Sequence, residues 1–436
     1  MAKEQVSIVW FRRDLRLEDN IALNKALAES KNILPLFIFD DDILEELPKN
    51  DARVNFIYTN LKNMHVKLRS EHSSMLVVRG KTKEVWNKLS EAYTIDAVYA
   101  NKDYEPYAIT RDKEIKQLLS GKDIPFKLYK DQVIHEENDV LKADGKPYTV
   151  FTPYKNKWLA VYNAQPPEAL SNFENFHSKN YPFPEMEKLG LEVSSIKIQP
   201  FTLKNVSTYA ETRNFPNLDS TSYLSPHLRF GTISIRQIIT QLGNNASVFL
   251  SELIWREFFM QILFHFPKVV TNNFRAKYDG IAWRNNEMEF EKWCQGETGY
   301  PMVDAGMKQL NETGYMHNRV RMITASFLCK HLLIDWRKGE AYFAKKLLDF
   351  ELSSNNGNWQ WAAGTGCDAA PYFRVFNPSE QLKKFDKQQQ YIKTWLPKFG
   401  TDAYPEPIVE HKMARLRALE TYKSGIENGT ISEIIE

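Results

Sequence analysis

Cysteine is almost absent from this 436-residue chain: only Cys294, Cys329 and Cys367 occur, far apart. They offer neither a disulfide framework nor the paired spacing of a zinc site, so no metal is expected. Histidine is also scarce, at nine residues, and no HExxH occurs. Without that motif or an apparent Ser-His-Asp order, zinc and triad hydrolysis find no support. No apolar run reaches the roughly 20 residues of a membrane span. Met1-Ala2-Lys3-Glu4-Gln5 leads straight into a short apolar strand, without a signal-peptide pattern. These absences predict a soluble intracellular protein. Net charge is only +2, so no bulk basic excess advertises a polyanionic partner. Residues 201–400 nevertheless hold 24 Lys and Arg against 18 Asp and Glu, a local excess of +6.

The chain is rich in aromatics, at 13% with ten Trp. Such residues fill cores, and they also supply flat stacking surfaces for ligands or bases. The length suits two domains. Apolar runs at 6–11, 33–39, 75–79, 97–100 and 125–129 read as buried strands. Helical spacing between them (20–29, 52–70, 82–93, 107–120) predicts a doubly wound parallel sheet. No G-x-G-x-x-G follows the first strand; Arg12-Arg13-Asp14-Leu15-Arg16 stands there. A dinucleotide bound in the usual way is therefore not expected on the sheet. Residues 131–200 carry seven prolines and read as an irregular connection. Beyond 201 the pattern is helical, at 232–242, 248–265, 299–312, 316–334, 338–349 and near 408–424. The expected division is 1–130, an α/β domain; 131–200, a linker; and 201–436, an all-helical domain.

Four segments carry chemistry. In TSYLSPHLRFGTIS (221–234), Thr221, Ser222 and Ser225 gather hydroxyls around a Pro that opens a helix, which caps the helix or meets phosphate. In ELIWREFF, Glu252, Trp255 and Arg256 fall at i, i+3 and i+4, on one helical face. Asn318 and Met322 share another face, and a buried amide needs partners. DFELSSNNGNWQWAAGTGCDAAPYFRVFNP (349–378) crowds carboxylates, amides and two indoles together.

These segments, with TGYPMVDAGMKQLNETGYMHNRVRM and the opening FRRDLRLEDNIAL, resemble photolyases and cryptochromes over nearly the whole chain and in the family's order. The resemblance is closest to the class I cyclobutane pyrimidine dimer photolyases. It implies FAD in the helical domain, active as FADH⁻, contacted by Tyr209, Thr221, Ser222, Tyr223, Leu224, Ser225, Phe249, Asp349, Phe350 and Glu351. Arg321 would pair with Asp349, and Asn355 would face flavin N5. A neutral amide there accepts N5–H without adding negative charge beside an anionic flavin. It implies a lesion pocket of Glu252, Trp255, Asn318, Met322 and Trp361. The relatives that repair (6-4) lesions have His at the positions of Asn318 and Met322. Arg213, Arg256, Arg319 and Arg374 match positions that grip DNA phosphates. Trp359, Trp336 and Trp283 match an electron chain running to the surface. Asn101 and Glu105 match contacts to an antenna pigment, for which methenyltetrahydrofolate is favoured over a deazaflavin or none. Two departures stand out: Tyr315 where close relatives often have Trp, and Phe350 where some have Gly. The implied activity is light-driven repair of cyclobutane dimers in DNA, by a cytoplasmic, nucleoid-associated monomer. The alternatives are a blue-light signalling cryptochrome and a (6-4) photolyase.

Overall fold

A computed structural model describes residues 3–164 and 166–435, without the side chains of 244 and 429–435. The chain divides into two compact units that interleave in sequence. One comprises residues 1–136, 162–201 and 223–242; the other comprises 137–161, 202–222 and 243–436. The expected boundaries run linearly. The observed units instead draw 137–161 out of the expected linker and 223–242 out of the expected helical domain.

The first unit holds five parallel strands: β1 (Glu4–Phe11), β2 (Ile33–Asp40), β3 (Leu76–Gly80), β4 (Tyr93–Asn101) and β5 (Phe126–Tyr129). Their order is β3-β2-β1-β4-β5. β1 pairs with β2 from Ser7 opposite Ile33 to Phe11 opposite Phe37. Alternate side chains serve opposite faces, as a strand's twofold period requires. Val9, Phe11, Phe37 and Phe39 pack with the helices Ile21–Glu29 and Ala52–Ser70. Ile8, Trp10, Leu36 and Ile38 pack with Thr82–Ala92 and Pro106–Ser120. Burial on both faces is why these strands read as continuous apolar runs. The strand order reverses between β1 and β4, so their C-terminal ends flank a switch point, where open α/β sheets form a crevice.

The second unit is helical. Its core gathers Trp293, Met302, Val303, Met307, Val320, Phe327, Leu328, Trp336, Phe343 and Trp359. Two sequence expectations need correction here. Residues 151–161, placed in an irregular linker, form a helix, Phe151–Val161. Pro153 sits in its first turn, where a missing N–H costs nothing, and Phe151, Tyr154 and Trp158 bury one face. The single helix expected over 316–334 is broken: Asn318–Ser326 runs into a π-helical turn at Phe327–His331. That turn brings Lys330 and His331 into the interior.

Candidate active site and nucleic-acid interface

Two helices build the centre of the second unit. Ser247–His265 carries Glu252, Trp255, Arg256 and Phe259; Leu352–Ala363 carries Asn355, Gly357, Trp359 and Trp361. Gly357 sets their approach: a Cβ there would lie 2.1 Å from the Phe259 ring. Trp255 and Trp361 consequently border one small pocket, completed by Phe259, Gly357, Gly366, Cys367, Asp368 and Ala369, whose free volume of about 10 Å³ is room for about one water molecule. Phe151 stacks on Trp255, the ring centroids 3.7 Å apart and the planes 7° from parallel. Its backbone N–H donates to Asp368 Oδ2 at 3.1 Å, so the helix Phe151–Val161 is tied to the pocket wall. Asn318 and Met322 stand half-buried on one face of Asn318–Ser326.

Charged groups are paired with care. Arg321 donates to both oxygens of Asp349 at 3.2 and 3.0 Å, and its Nε donates to the Met316 carbonyl. Arg256, expected at a DNA phosphate, turns inward: its Nε lies 3.1 Å from Glu351 Oε2, and both side chains are nearly buried. A guanidinium so withdrawn from water requires a counter-charge, and Glu351 supplies it. Arg213 Nη1 lies 2.5 Å from Glu252 Oε1. Tyr209 meets the edge of Phe249 and lies under the Arg213 guanidinium. Burial, then Glu252, pushes its hydroxyl up to about 12.

Arg319 donates to Asn214 Oδ1 and lies 4.6 Å above the Phe385 ring. Burial, then the positive charges of Arg213 and Arg374, holds its pKa below the usual arginine range. His317, whose Nδ1 accepts from the Arg319 N–H at 3.2 Å, is pushed down to about 4 by burial and then by Arg321, Arg319 and Arg213. Arg319 and His317 thus sit among like charges, a local positive potential that a phosphate would relieve.

Of the three indoles of the expected chain, two are buried and one is half-buried. Trp359 is buried against Phe343 and Trp293, at 4.9 and 6.1 Å between ring centroids. Trp336 is buried and donates from Nε1 to Asn273 Oδ1 at 2.8 Å. Its helix, Trp336–Lys346, reaches Trp359 because Gly339 has no side chain; a Cβ there would lie 2.2 Å from the indole. Trp283 is half-buried and meets Tyr422 edge-to-face, the ring centroids 5.8 Å apart. Phe350 packs at the margin of the same core.

Asn355 fits a ligand rather than a structural role alone. Both amide hydrogens point at Glu340, to its carbonyl oxygen at 3.1 Å and its Oε1 at 2.8 Å. Its own Oδ1 accepts nothing from the described residues, although the residue is only 9% exposed. Such an orphaned acceptor suits a flavin N–H donor. Thr221 and Ser222 lie in this unit, the Ser222 carbonyl accepting from the Thr202 N–H. Tyr223, Leu224 and Ser225 belong to the first unit, where Tyr223 has φ 54° at the start of Leu224–Phe230.

In the first unit, Asn101 ends β4 at the switch point. Its amide donates to Asp14 Oδ2 at 2.6 Å and Asn20 Oδ1 at 2.8 Å, and its Oδ1 accepts from the Ala22 N–H at 3.0 Å. This side chain holds the fold and has no amide hydrogen left for a pigment, which corrects the contact expected of it. Glu105 is held by Arg13 at 3.2 Å and Arg229 at 3.1 Å. Among the described residues no His, Cys, Asp and Glu cluster could hold a metal ion, and no helix is long and apolar enough to cross a membrane.

Phe151, Phe259, Gly357 and Glu340 escape a reading of the sequence. Only the apolar spacing of 151, 154 and 158 hinted at the first of them.

A doubly wound sheet unit and a helical unit with an indole-lined pocket define a two-part α/β and all-α class. Residues 7–171 match the family model described as DNA photolyase, and 249–401 match the FAD binding domain of DNA photolyase. A deoxyribodipyrimidine photo-lyase of Synechococcus sp. is 36% identical over 93% of this chain and 94% of its own. The protein of that name from Escherichia coli K12 is 36% identical over 96% and 98%. Among solved structures, a class III photolyase from Agrobacterium tumefaciens superposes with a TM-score of 0.86 at 33% identity, covering 98% of both chains. An archaeal photolyase from Sulfolobus tokodaii, solved with two FAD molecules, gives 0.85 at 36%, covering 96% of this chain and all of that one. The chain belongs to the DNA photolyase family.

Proposed function

We propose that this protein is a light-dependent lyase that splits cyclobutane pyrimidine dimers in DNA, of the class I kind, with FAD as its cofactor and FADH⁻ as the working form. The observation that carries the reading is the placing of Trp255 and Trp361 on one pocket. Trp361, with the part of Trp255 left open by Phe151 and Phe259, offers apolar surface to two fused bases that have left the stack. A dimer is already poorly stacked, which lowers the flipping cost to a few kcal/mol. Entry requires the small pocket to widen, and Phe151, stacked on Trp255, is the side chain that a base would have to displace.

Arg213, Arg319 and Arg374 hold the phosphates, which fixes the duplex without reading its sequence. Arg256 supports Glu351 instead. Glu252, released from Arg213 as that guanidinium meets phosphate, offers a hydrogen-bond partner to a thymine edge. Asn318 and Met322, outside that pocket's lining, would approach the dimer from the helix Asn318–Ser326. Neither is a proton donor of histidine type, which favours cyclobutane dimers over (6-4) lesions. In the second unit, Tyr209, Thr221, Ser222, Phe249, Phe350 and the Arg321–Asp349 pair would hold FAD. When bound, reduced and illuminated, FAD supplies one electron to the dimer and takes it back after the ring opens. Trp359, Trp336 and Trp283 provide the path that restores the reduced state from the surface. In the first unit, methenyltetrahydrofolate is the favoured antenna, met by Glu105 and the crevice backbone rather than by Asn101. The protein acts as a monomer on DNA in the cytoplasm.

The test is direct. Purified protein with its flavin reduced is mixed with ultraviolet-irradiated oligothymidylate, and dimers are counted in light and in darkness. Loss in light alone is expected. Unchanged dimer content under light, with the flavin verified as reduced, overturns the reading. Extraction and chromatography of the pigments identifies the antenna.

A further inference from the structure

Trp336 is the middle indole of the proposed electron path, and its N–H has a fixed acceptor. Nε1 donates to Asn273 Oδ1 at 2.8 Å, and both residues are buried. Asn273 precedes the short turn Ala276–Tyr278. Its neighbours pin it to the helix that carries Trp359 and to the end of that helix. The Phe274 N–H donates to Gln360 Oε1 at 2.8 Å, and the Arg275 N–H donates to the Thr365 carbonyl at 3.1 Å. Asn273 Nδ2 donates to Asp279 Oδ1 at 2.6 Å, which fixes the amide. An indole N–H can only donate, so a turned amide would set donor against donor and oxygen against carboxylate. The Asp279 carboxylate also polarises the amide toward Oδ1, the atom that faces the indole. Trp359 has no acceptor for its own Nε1–H among the described residues. The face of Trp336 carries the Arg337 guanidinium, 4.7 Å from the ring centroid, a charge that opposes loss of an electron from the indole. Asp335 offsets it, with its oxygens 3.1 and 3.0 Å from Arg337 Nη1. With those two charges largely cancelling, the edge of the ring decides, and the edge meets Asn273.

We propose that Asn273 is a positioning residue of the electron path, holding an acceptor on Trp336 so that a positive hole settles there instead of returning to Trp359. This rests on the reading that Trp359, Trp336 and Trp283 feed electrons to a flavin. Trp359 gives one electron to the light-excited flavin, Trp336 gives one to Trp359, and Trp283 gives one to Trp336. A thiol in solution supplies the last. The N–H of an oxidised indole shares its positive charge, so the hydrogen bond becomes charge-assisted and roughly doubles in strength. An amide oxygen is too weak a base to take the proton, which stays on Nε1. The hole then passes on to Trp283 as electron transfer alone, with no proton to retrieve. Trp283 is half-buried, and at that end water takes the proton.

The test uses the full-length holoprotein with its flavin oxidised, in a Trp283→Phe background that stops the hole at Trp336. Flash photolysis follows the absorption of the oxidised indole and its decay. Asn273→Leu is expected to shorten the life of the charge-separated pair roughly five- to tenfold, the added worth of a hydrogen bond once one partner is charged. Ultraviolet resonance Raman, which senses indole N–H hydrogen bonding without light-driven chemistry, is expected to show one indole losing its acceptor in that variant. The double variant Asn273→Asp/Asp279→Asn exchanges the two groups and puts a carboxylate on the indole. That carboxylate is expected to take the proton, so the spectrum of the cation radical gives way to that of the neutral radical, which a packing role would not produce. Should Asn273→Leu fail to fold or to bind flavin, the double variant carries the test. An unchanged lifetime in Asn273→Leu, or a cation spectrum kept in the double variant, overturns the inference. If Trp336→Phe in the otherwise native protein leaves photoreduction of the flavin intact, the electron path itself is wrong, so the two failures are told apart.

Discussion

At the scale of single residues, the pocket's two indoles and the arginines act on different parts of a bound duplex, and substitution should separate them. In the proposed reading Trp255 and Trp361 touch a base only after it has flipped. Trp255→Ala or Trp361→Ala is expected to weaken binding of a dimer-containing oligonucleotide by about 1–3 kcal/mol, the usual worth of base stacking, with binding to the undamaged oligonucleotide nearly unchanged. Fluorescence anisotropy titrations on the two oligonucleotides check this, and an equal loss on both would remove the indoles from lesion recognition. These residues were legible in the sequence because helical spacing set Trp255 beside Glu252 and because two indoles crowd an Asn-Asn-Gly stretch. Glu340 was not legible. An acid on a Lys-rich helix reads as a solvated surface charge, and only the fold brings Asn355 to it. Arg256 misled for the opposite reason: its type suits phosphate, but its buried position commits it to Glu351.

At the scale of elements, the close crossing of Ser247–His265 and Leu352–Ala363 depends on one missing side chain. Gly357→Ala sets a methyl 2.1 Å from Phe259, so the helices must part or the ring must move. Overpacking of that kind costs about 1–3 kcal/mol. A lower denaturant midpoint is expected, with partial recovery in the double variant Gly357→Ala/Phe259→Leu. The π-turn makes a second prediction. It buries His331 with its Nε2 2.9 Å from His411 Nδ1, and burial, then His411 and Arg417, pushes it down to about 3. His317 is held down to about 4. In the unfolded chain both protonate near 6.5. The folded state then binds fewer protons, so the stability these two contribute is whole above about pH 6.5. It is lost as pH falls from there toward their folded values, at up to about 1.4 kcal/mol per pH unit for each. Denaturation midpoints at pH 7, 6 and 5 test this, and His317→Asn is expected to flatten the dependence. The sheet was legible element by element, because strands buried on both faces cannot alternate and so announce themselves. The helix Phe151–Val161 hid among prolines, and the π-turn leaves no mark on an apolar pattern that fits an uninterrupted helix equally well.

At the scale of the whole molecule, the net charge of +2 argues against a protein that clings to DNA everywhere. The affinity must come from a local excess of cations, and Arg319, held below the usual arginine range by burial and then by Arg213 and Arg374, marks one such place. Each guanidinium that neutralises one phosphate releases condensed counterions, which makes binding fall with salt by about 0.9 log units per log unit of salt for each contact. Arg374 is exposed and reaches Phe376, with its guanidinium 5.2 Å from the ring. Its removal should leave the pocket and the core intact. Arg374→Ala is therefore expected to lower the salt slope by about one and to weaken binding to damaged and undamaged duplexes alike. Arg256→Ala is expected to leave the slope unchanged and to destabilise the fold, because it takes the guanidinium away from the nearly buried Glu351 carboxylate. Binding isotherms across a series of salt concentrations distinguish the two arginines. A slope that drops for Arg256→Ala and holds for Arg374→Ala would place the phosphate contacts on the wrong residues.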